Sequence, residues 1–256
     1  MKNVIYLLII GMNFLSTARA NNGVLEINEI VANPNGVDEN CEYIELTGAA
    51  GLALTDHYFV SVEGDSTSNE GTADMVVDLN AQVLGSNGLL VITAEDTQGA
   101  CGSRTWGVPA TTLVRDAAMD GGRLENGSNS FLLIHSPTPM VEATDYDAND
   151  DGVLELPANA SIVDGLGWSD GGTGDLIYGM VNLALTAGGT PDMATRFPGN
   201  TAPNDSAAWY HGDMDGSANS VLYDLTQVSS NFPEGGMLTP GVENMPNDVI
   251  FKHGFE

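Results

Sequence analysis

The 256-residue chain carries 35 acidic side chains against seven Lys and Arg, a formal net charge of -28. A surface this acidic is repelled by nucleic-acid phosphates and anionic membranes, so both are excluded as partners, and cations are the charged species it attracts. The same acidity keeps an exported protein soluble.

Taken in order, the chain opens with Lys2, an apolar run from Val4 to Leu15, and Ala18-Arg19-Ala20. This reads as a secretory signal peptide over residues 1–20. The apolar run is too short, and too interrupted by Asn13, for the roughly 20 residues of a membrane span. Removing the 20 residues leaves 236 of the 256 and takes Lys2 and Arg19 with it, for a formal charge of -30. The mature chain is expected to be secreted or extracytoplasmic, with no membrane span. Cys41 and Cys101 are the only two cysteines, and an exported protein with two most simply joins them. Sixty positions apart, they lack zinc-ligand spacing, and neither has a histidine nearby in sequence to activate a thiol.

Val24 to Leu46 reads as two short strands around a loop rich in Asn, Pro, Gly and acids. In the second, Ile44 and Leu46 fall on one face and Tyr43 and Glu45 on the other, the period-2 pattern of a half-buried strand. Further apolar runs follow at Tyr58 to Val62, Met75 to Leu79, Leu89 to Thr93 and Phe131 to His135, separated by Gly- and Asn-rich turns. No window carries three turns of apolar residues at helical spacing, so the fold class is all-β, a sandwich or barrel. Beyond Trp168 the sequence becomes rich in loop residues, notably Ser169 to Gly174 and Thr190 to Asn204. The apolar groups Leu176 to Tyr178, Trp209-Tyr210 and Val221 to Leu225 mark this stretch, residues 169–246, as an ordered extension packed on the sandwich. Residues 247–256, after a Pro-containing spacer, form a short apolar-aromatic tail: a recognition tag or a final edge strand.

The opening order, Ile27-x-Glu29-Ile30, a loop with Asn33-Pro34, then Glu42-Tyr43-Ile44-Glu45-Leu46, resembles the start of lamin-tail-type domains. Val163-Asp164, Gly167 and Trp168 resemble the closing strand of the same family. The segments around Thr190, Ala207 to Asp213 and Leu238-Thr-Pro-Gly are similar to extensions that accompany this domain in exported bacterial proteins. The resemblance implies an immunoglobulin-like β-sandwich over residues 21–168 and a non-catalytic binding or tethering role, with an extracellular or envelope protein or glycan as partner. Such modules are often fused to nucleases, so the alternative is an exported metal-dependent hydrolase or nuclease-associated protein. Trp168, a large aromatic near a strand end, is expected to plug the core.

The sharpest chemical constellation runs from Asp145 to Glu155. A calcium loop sets oxygen ligands at positions 1, 3 and 5 and a glycine at 6. Starting at Asp147, this places Asp147, Asn149 and Asp151 as ligands, then Gly152, with Glu155 at position 9. Position 12, where a bidentate carboxylate belongs, is Ala158, so Asp145 or another loop must complete the set and any calcium is held weakly. The competing reading is a solvated acidic turn. A second cluster, Asp213-Met-Asp215-Gly216, is only an echo. No nucleophile elbow, zinc-protease helix or phosphate loop is present, and His57, His135, His211 and His253 are scattered singly. No catalytic residue is assigned.

Mass spectrometry of the exported protein should find a mature N-terminus at Asn21; any other terminus overturns the cleavage site.

Overall fold

The computed structural model describes residues 23–36, 40–98, 100–102 and 104–244; the segment expected as a signal peptide, His253 and the C-terminal tail lie outside the described residues. Eleven strands form among them: β1 (Glu26–Val31), β2 (Tyr43–Thr47), β3 (His57–Glu63), β4 (Ala73–Asp78), β5 (Leu89–Ala94), β6 (Thr112–Asp116), β7 (Asn129–His135), β8 (Ser161–Trp168), β9 (Met193–Arg196), β10 (Trp209–Asp215) and β11 (Leu222–Val228). They make a seven-stranded sheet, in the order β11-β10-β9-β1-β2-β5-β6, and a four-stranded sheet, β4-β3-β7-β8. The all-β sandwich is therefore the observed fold. Every strand pair is antiparallel except β5 and β6. No helix of the described residues is long and apolar enough to cross a membrane.

The alternating apolar residues supply the layer between the sheets. Ile27, Ile30, Ile44, Leu46, Leu90 and Ile92 face Phe59, Phe131, Leu133, Leu166 and Trp168 across it. Trp168 is fully buried, 4.9 Å from the Phe131 ring, as expected for a core plug.

The expected half-buried pattern of β2 is corrected: all five of its residues are buried. The outer face of the larger sheet is covered by a second apolar cluster, in which Tyr43, Val91 and Met193 meet Trp106, Tyr210, Tyr223 and Leu238. The outer face of the smaller sheet is covered likewise. There Tyr58, Val60, Leu132 and Ile134 meet Met140, Tyr146 and Tyr178 from the long β7–β8 connection and the chain after β8. With cover on both faces, a strand has no solvent side.

Residues after Trp168 do more than pack on the sandwich. β9 pairs with β1, with Ile30 opposite Ala194, and carries β10 and β11 into the larger sheet. Met193 to Arg196 gives no alternating signal and lies inside the stretch read as loop, and Thr112 to Asp116 is equally silent; both become strands because a sheet edge is available to them. Leu176 to Tyr178 is apolar cover rather than a strand. His57 and His135 are not isolated: they are cross-strand neighbours with rings 5.2 Å apart.

Cys41 and Cys101 form a disulfide with Cα atoms 5.2 Å apart. It ties the loop bearing Arg104 and Trp106 to the start of β2. Arg104 then donates to the carbonyls of Cys41 and Ala218, at 3.2 and 2.7 Å, and stacks 5.0 Å from the Trp106 ring. The link spans 60 positions, so replacing both cysteines by serine should cost about 4 kcal/mol in the chain-entropy account. Chemical denaturation of the oxidised protein and the double variant measures it; an unchanged midpoint would overturn the expectation.

Candidate metal site and the buried carboxylates

The acid loop lies in the β7–β8 connection. Its backbone needs two left-handed residues, Asp150 at φ 53° and Gly152 at φ 82°. Asp147 organises the turn and is fully buried: its Oδ1 accepts the Asp151 N–H at 3.1 Å, and its Oδ2 accepts the Gly152 N–H at 2.9 Å and the Tyr178 hydroxyl at 2.8 Å. Burial, then the Asp147 carboxylate, push Tyr178 far above the usual phenol range, so it remains a donor. Asn149 Oδ1 also accepts from Asp151 N, and its amide donates to Glu155 Oε1 at 2.8 Å. Glu155 Oε2 accepts from Ala148 N.

Of the five residues expected as ligands, Asp147, Asp151 and Glu155 each offer a carboxylate oxygen within 4.8 Å of the others. Asn149 sits between them. Asp145 does not join: its Oδ1 accepts the Asp147 N–H at 2.9 Å and holds the start of the loop. The β3–β4 loop packs against this point, with Thr72 bridged to Asp145 and Tyr146 N donating to Gly71 O. Gly71 has φ 85°, and a Cβ there would lie 2.6 Å from Asp147 Cβ.

That packing brings in Glu70, a residue the spacing gives no means of finding. Its Oε2 is shielded from solvent and has no hydrogen-bond partner among the described residues. Desolvation, then Asp150 and Asp147, raise its pKa. A carboxylate held against other carboxylates in this way is what a cation would relieve. A second group, Glu63, Asp74 and Glu125, lies within the same mutual distance; burial, then Glu125 and Glu63, push Asp74 up to about 7.

The glutamates of the opening hairpin have a different use. A bulge between Ile27 and Glu29 brings Asn28 and Glu29 beside Glu45. Glu29 accepts from the Tyr43 hydroxyl, from Thr195 Oγ1 and from the backbone N–H of Thr239. Glu45 accepts from Asn28 Nδ2 at 2.6 Å and from Gly241 N at 2.5 Å. Glu42 Oε2 accepts the N–H groups of Arg123 and Leu124. Asp164 on β8 accepts from Ile27 N of the other sheet at 2.8 Å and from Arg196 Nη2 at 2.5 Å.

No protein-family model matches the chain, and no curated protein does. The hairpin glutamates and Asp164, which in the sequence are only motif positions, are thus placed by geometry alone: each receives a donor from a segment distant in sequence.

Burial raises Glu29 to about 7 and Glu45 well above the carboxylate range, the latter also through Glu29 itself. Two charges side by side out of water are disfavoured, so the pair retains a proton at neutral pH. Below about 4.5 both the folded and the unfolded chain hold these protons and their contribution to stability is full. As pH rises from there to about 7 the unfolded chain releases them first, and stability falls. His211, lowered by burial, acts in the opposite sense below its ordinary value; Asp175 and Asp224, lowered by hydrogen bonds, are too exposed to offset much. The melting temperature should therefore be about 5 °C lower at pH 8 than at pH 5; Glu29→Gln should reduce the slope, and Glu26 and Asp74, also raised to about 7, should keep the remainder. A protein more stable at pH 8 than at pH 5 would contradict this assignment.

Proposed function

We propose that the chain is an exported, non-catalytic binding module of the lamin-tail type, presenting loops to an extracellular or envelope protein or glycan and steadied by weakly held calcium in the acid loop. The observation that carries the reading is the use of the motif carboxylates. Glu29, Glu42, Glu45 and Asp164 are buried and accept backbone N–H groups from other segments. That is how acidic residues hold a sandwich together. A general acid or base instead needs reach to a substrate. The two stretches that resemble the family meet at Asp164 and Ile27. Export is supported by the signal-like N-terminus and by the disulfide.

Calcium is supported by the three carboxylates within 4.8 Å, by Asn149, bonded to Asp151 N and Glu155, and by Glu70, whose Oε2 has no hydrogen-bond partner among the described residues and whose pKa desolvation, then Asp150 and Asp147, raise. The ion would replace the loop's N–H donors as the partner of these oxygens. With half its ligands from one loop, affinity in the range of about 10⁻⁴ to 10⁻³ M is expected. A tenfold excess over Kd then stabilises the fold by roughly 1.4 kcal/mol.

Thermal melts with calcium, against magnesium and sodium at matched ionic strength, measure the specific shift. Asp147→Ala with Asp151→Ala should abolish it, and Glu155→Gln, at an exposed position, should weaken it. A shift unchanged in the double variant leaves only an acidic turn. Reproducible, EDTA-sensitive turnover of generic esterase, phosphatase, nuclease or glycosidase substrates would overturn the non-catalytic reading in favour of the hydrolase.

A further inference from the structure

A cavity of about 640 Å³ opens beside the start of β1, between the ends of β2 and β9 and the last described residues. Its volume is within the roughly 300 to 1,000 Å³ of small-ligand sites. Four of its lining residues, Glu26, Asn28, Arg196 and Asn244, are polar and each more than nine-tenths buried, while Phe197 and Pro198 give an apolar wall.

Three of the four are satisfied. Asn28 and Asn244 bond each other through both amide groups, and the Asn244 amide also donates to Arg196 O at 2.7 Å. Arg196 donates through Nε to Ile27 O at 2.8 Å and through Nη2 to Asp164 at 2.5 Å, and lies 4.3 Å from the Trp209 ring centre.

Glu26 is the exception. It is 4% exposed, yet its carboxylate accepts no hydrogen bond among the described residues. Its one ionic contact is Arg196 Nη1 at 3.8 Å, beyond hydrogen-bond range. Two buried carboxylates thus share one guanidinium, and Asp164 holds it. Burial pushes Glu26 up to about 7, with Arg196 lowering it and Asp164 raising it further. Burying a carboxylate without donors is costly, and this one borders open space.

Once Glu26 ionises, above about pH 7, its charge, with Glu243 also in the lining, disfavours anions. A neutral hydroxyl would leave the charge uncompensated. A divalent ion needs more oxygen ligands than one inner carboxylate and one at the lining supply. A monocation that donates hydrogen bonds and carries an apolar stem meets each requirement.

We propose that this cavity binds an alkylammonium group, from a free amine or a lysine side chain, with the ammonium on Glu26 and its methylene stem along Phe197 and Pro198. The cavity shares no residue with the acid loop, so the inference goes beyond the calcium reading and stands or fails independently of it.

The test is calorimetric titration of the oxidised full-length mature protein with n-butylamine and with a short peptide bearing one lysine, against 1-butanol and butyrate at matched ionic strength. A Kd on the order of 1 mM is expected for so small a ligand as butylamine. Glu26→Gln, with its fold checked by circular dichroism, should weaken binding at least tenfold. Binding of either cationic probe that is lost in Glu26→Gln supports the site and identifies its source. Binding of neither, equal binding of 1-butanol, or full binding by Glu26→Gln overturns it. If Glu26→Gln does not fold, amide NMR of the wild-type protein decides: butylamine, and not butanol, must shift the side-chain signals of Asn28 and Asn244, and unchanged signals overturn the proposal.

Discussion

A carboxylate withdrawn from water costs several kcal/mol unless donors replace the lost hydration, and much of this sandwich is arranged around meeting that demand. The opening hairpin buries Glu29, Glu42 and Glu45, and their donors come from Thr239, from Arg123 with Leu124, and from Gly241. Asp164 does the same between sheets, taking the Ile27 N–H and the Arg196 guanidinium. These bonds are non-local, so they form only when the whole chain is in place. They also explain the Leu238-Thr-Pro-Gly segment, which closes the outer face of β1 and β2 over two glutamates.

That closure explains why strand burial departs from simple alternation. A sandwich strand normally keeps one face in water, but here the loop fastened by the disulfide covers the larger sheet with Trp106, and the β7–β8 connection covers the smaller with Met140 and Tyr146. Tyr43 shows the consequence. Its ring packs edge-on to Trp106 at 5.3 Å, while its hydroxyl serves Glu29, so one outward-facing residue joins the apolar cover to the polar layer beneath it.

The acid loop follows a different logic from the buried glutamates. Asp147 is held by its own loop, by Tyr178 and by the close approach of Gly71, whereas Asp151 and Glu155 are exposed and answer chiefly to local N–H groups. From one rigid anchor with two solvent-facing carboxylates, a cation bound as proposed would exchange readily. Near the opposite extreme is Glu26, nearly as buried as the glutamates beside it but lacking their donors.

Local pattern was enough to specify the all-β class, most strand positions, Trp168 as a core residue, the pairing of the two cysteines and the convergence of Asp147, Asp151 and Glu155. Each depends on period-2 alternation, on spacing within about ten residues, or on there being only two cysteines, all of which are properties of the chain itself. Tertiary structure alone decided the rest. β6 and β9 carry no alternation and exist because an edge was free; Glu70 reaches the acid loop only through the contact of Gly71 with Asp147; and Asn244 reaches Asn28 across 216 positions. No window of sequence holds both partners of such contacts. Glu26 and Glu29, three positions apart on one strand, are both pushed up to about 7 by burial, yet donors from distant segments reach Glu29 and not Glu26.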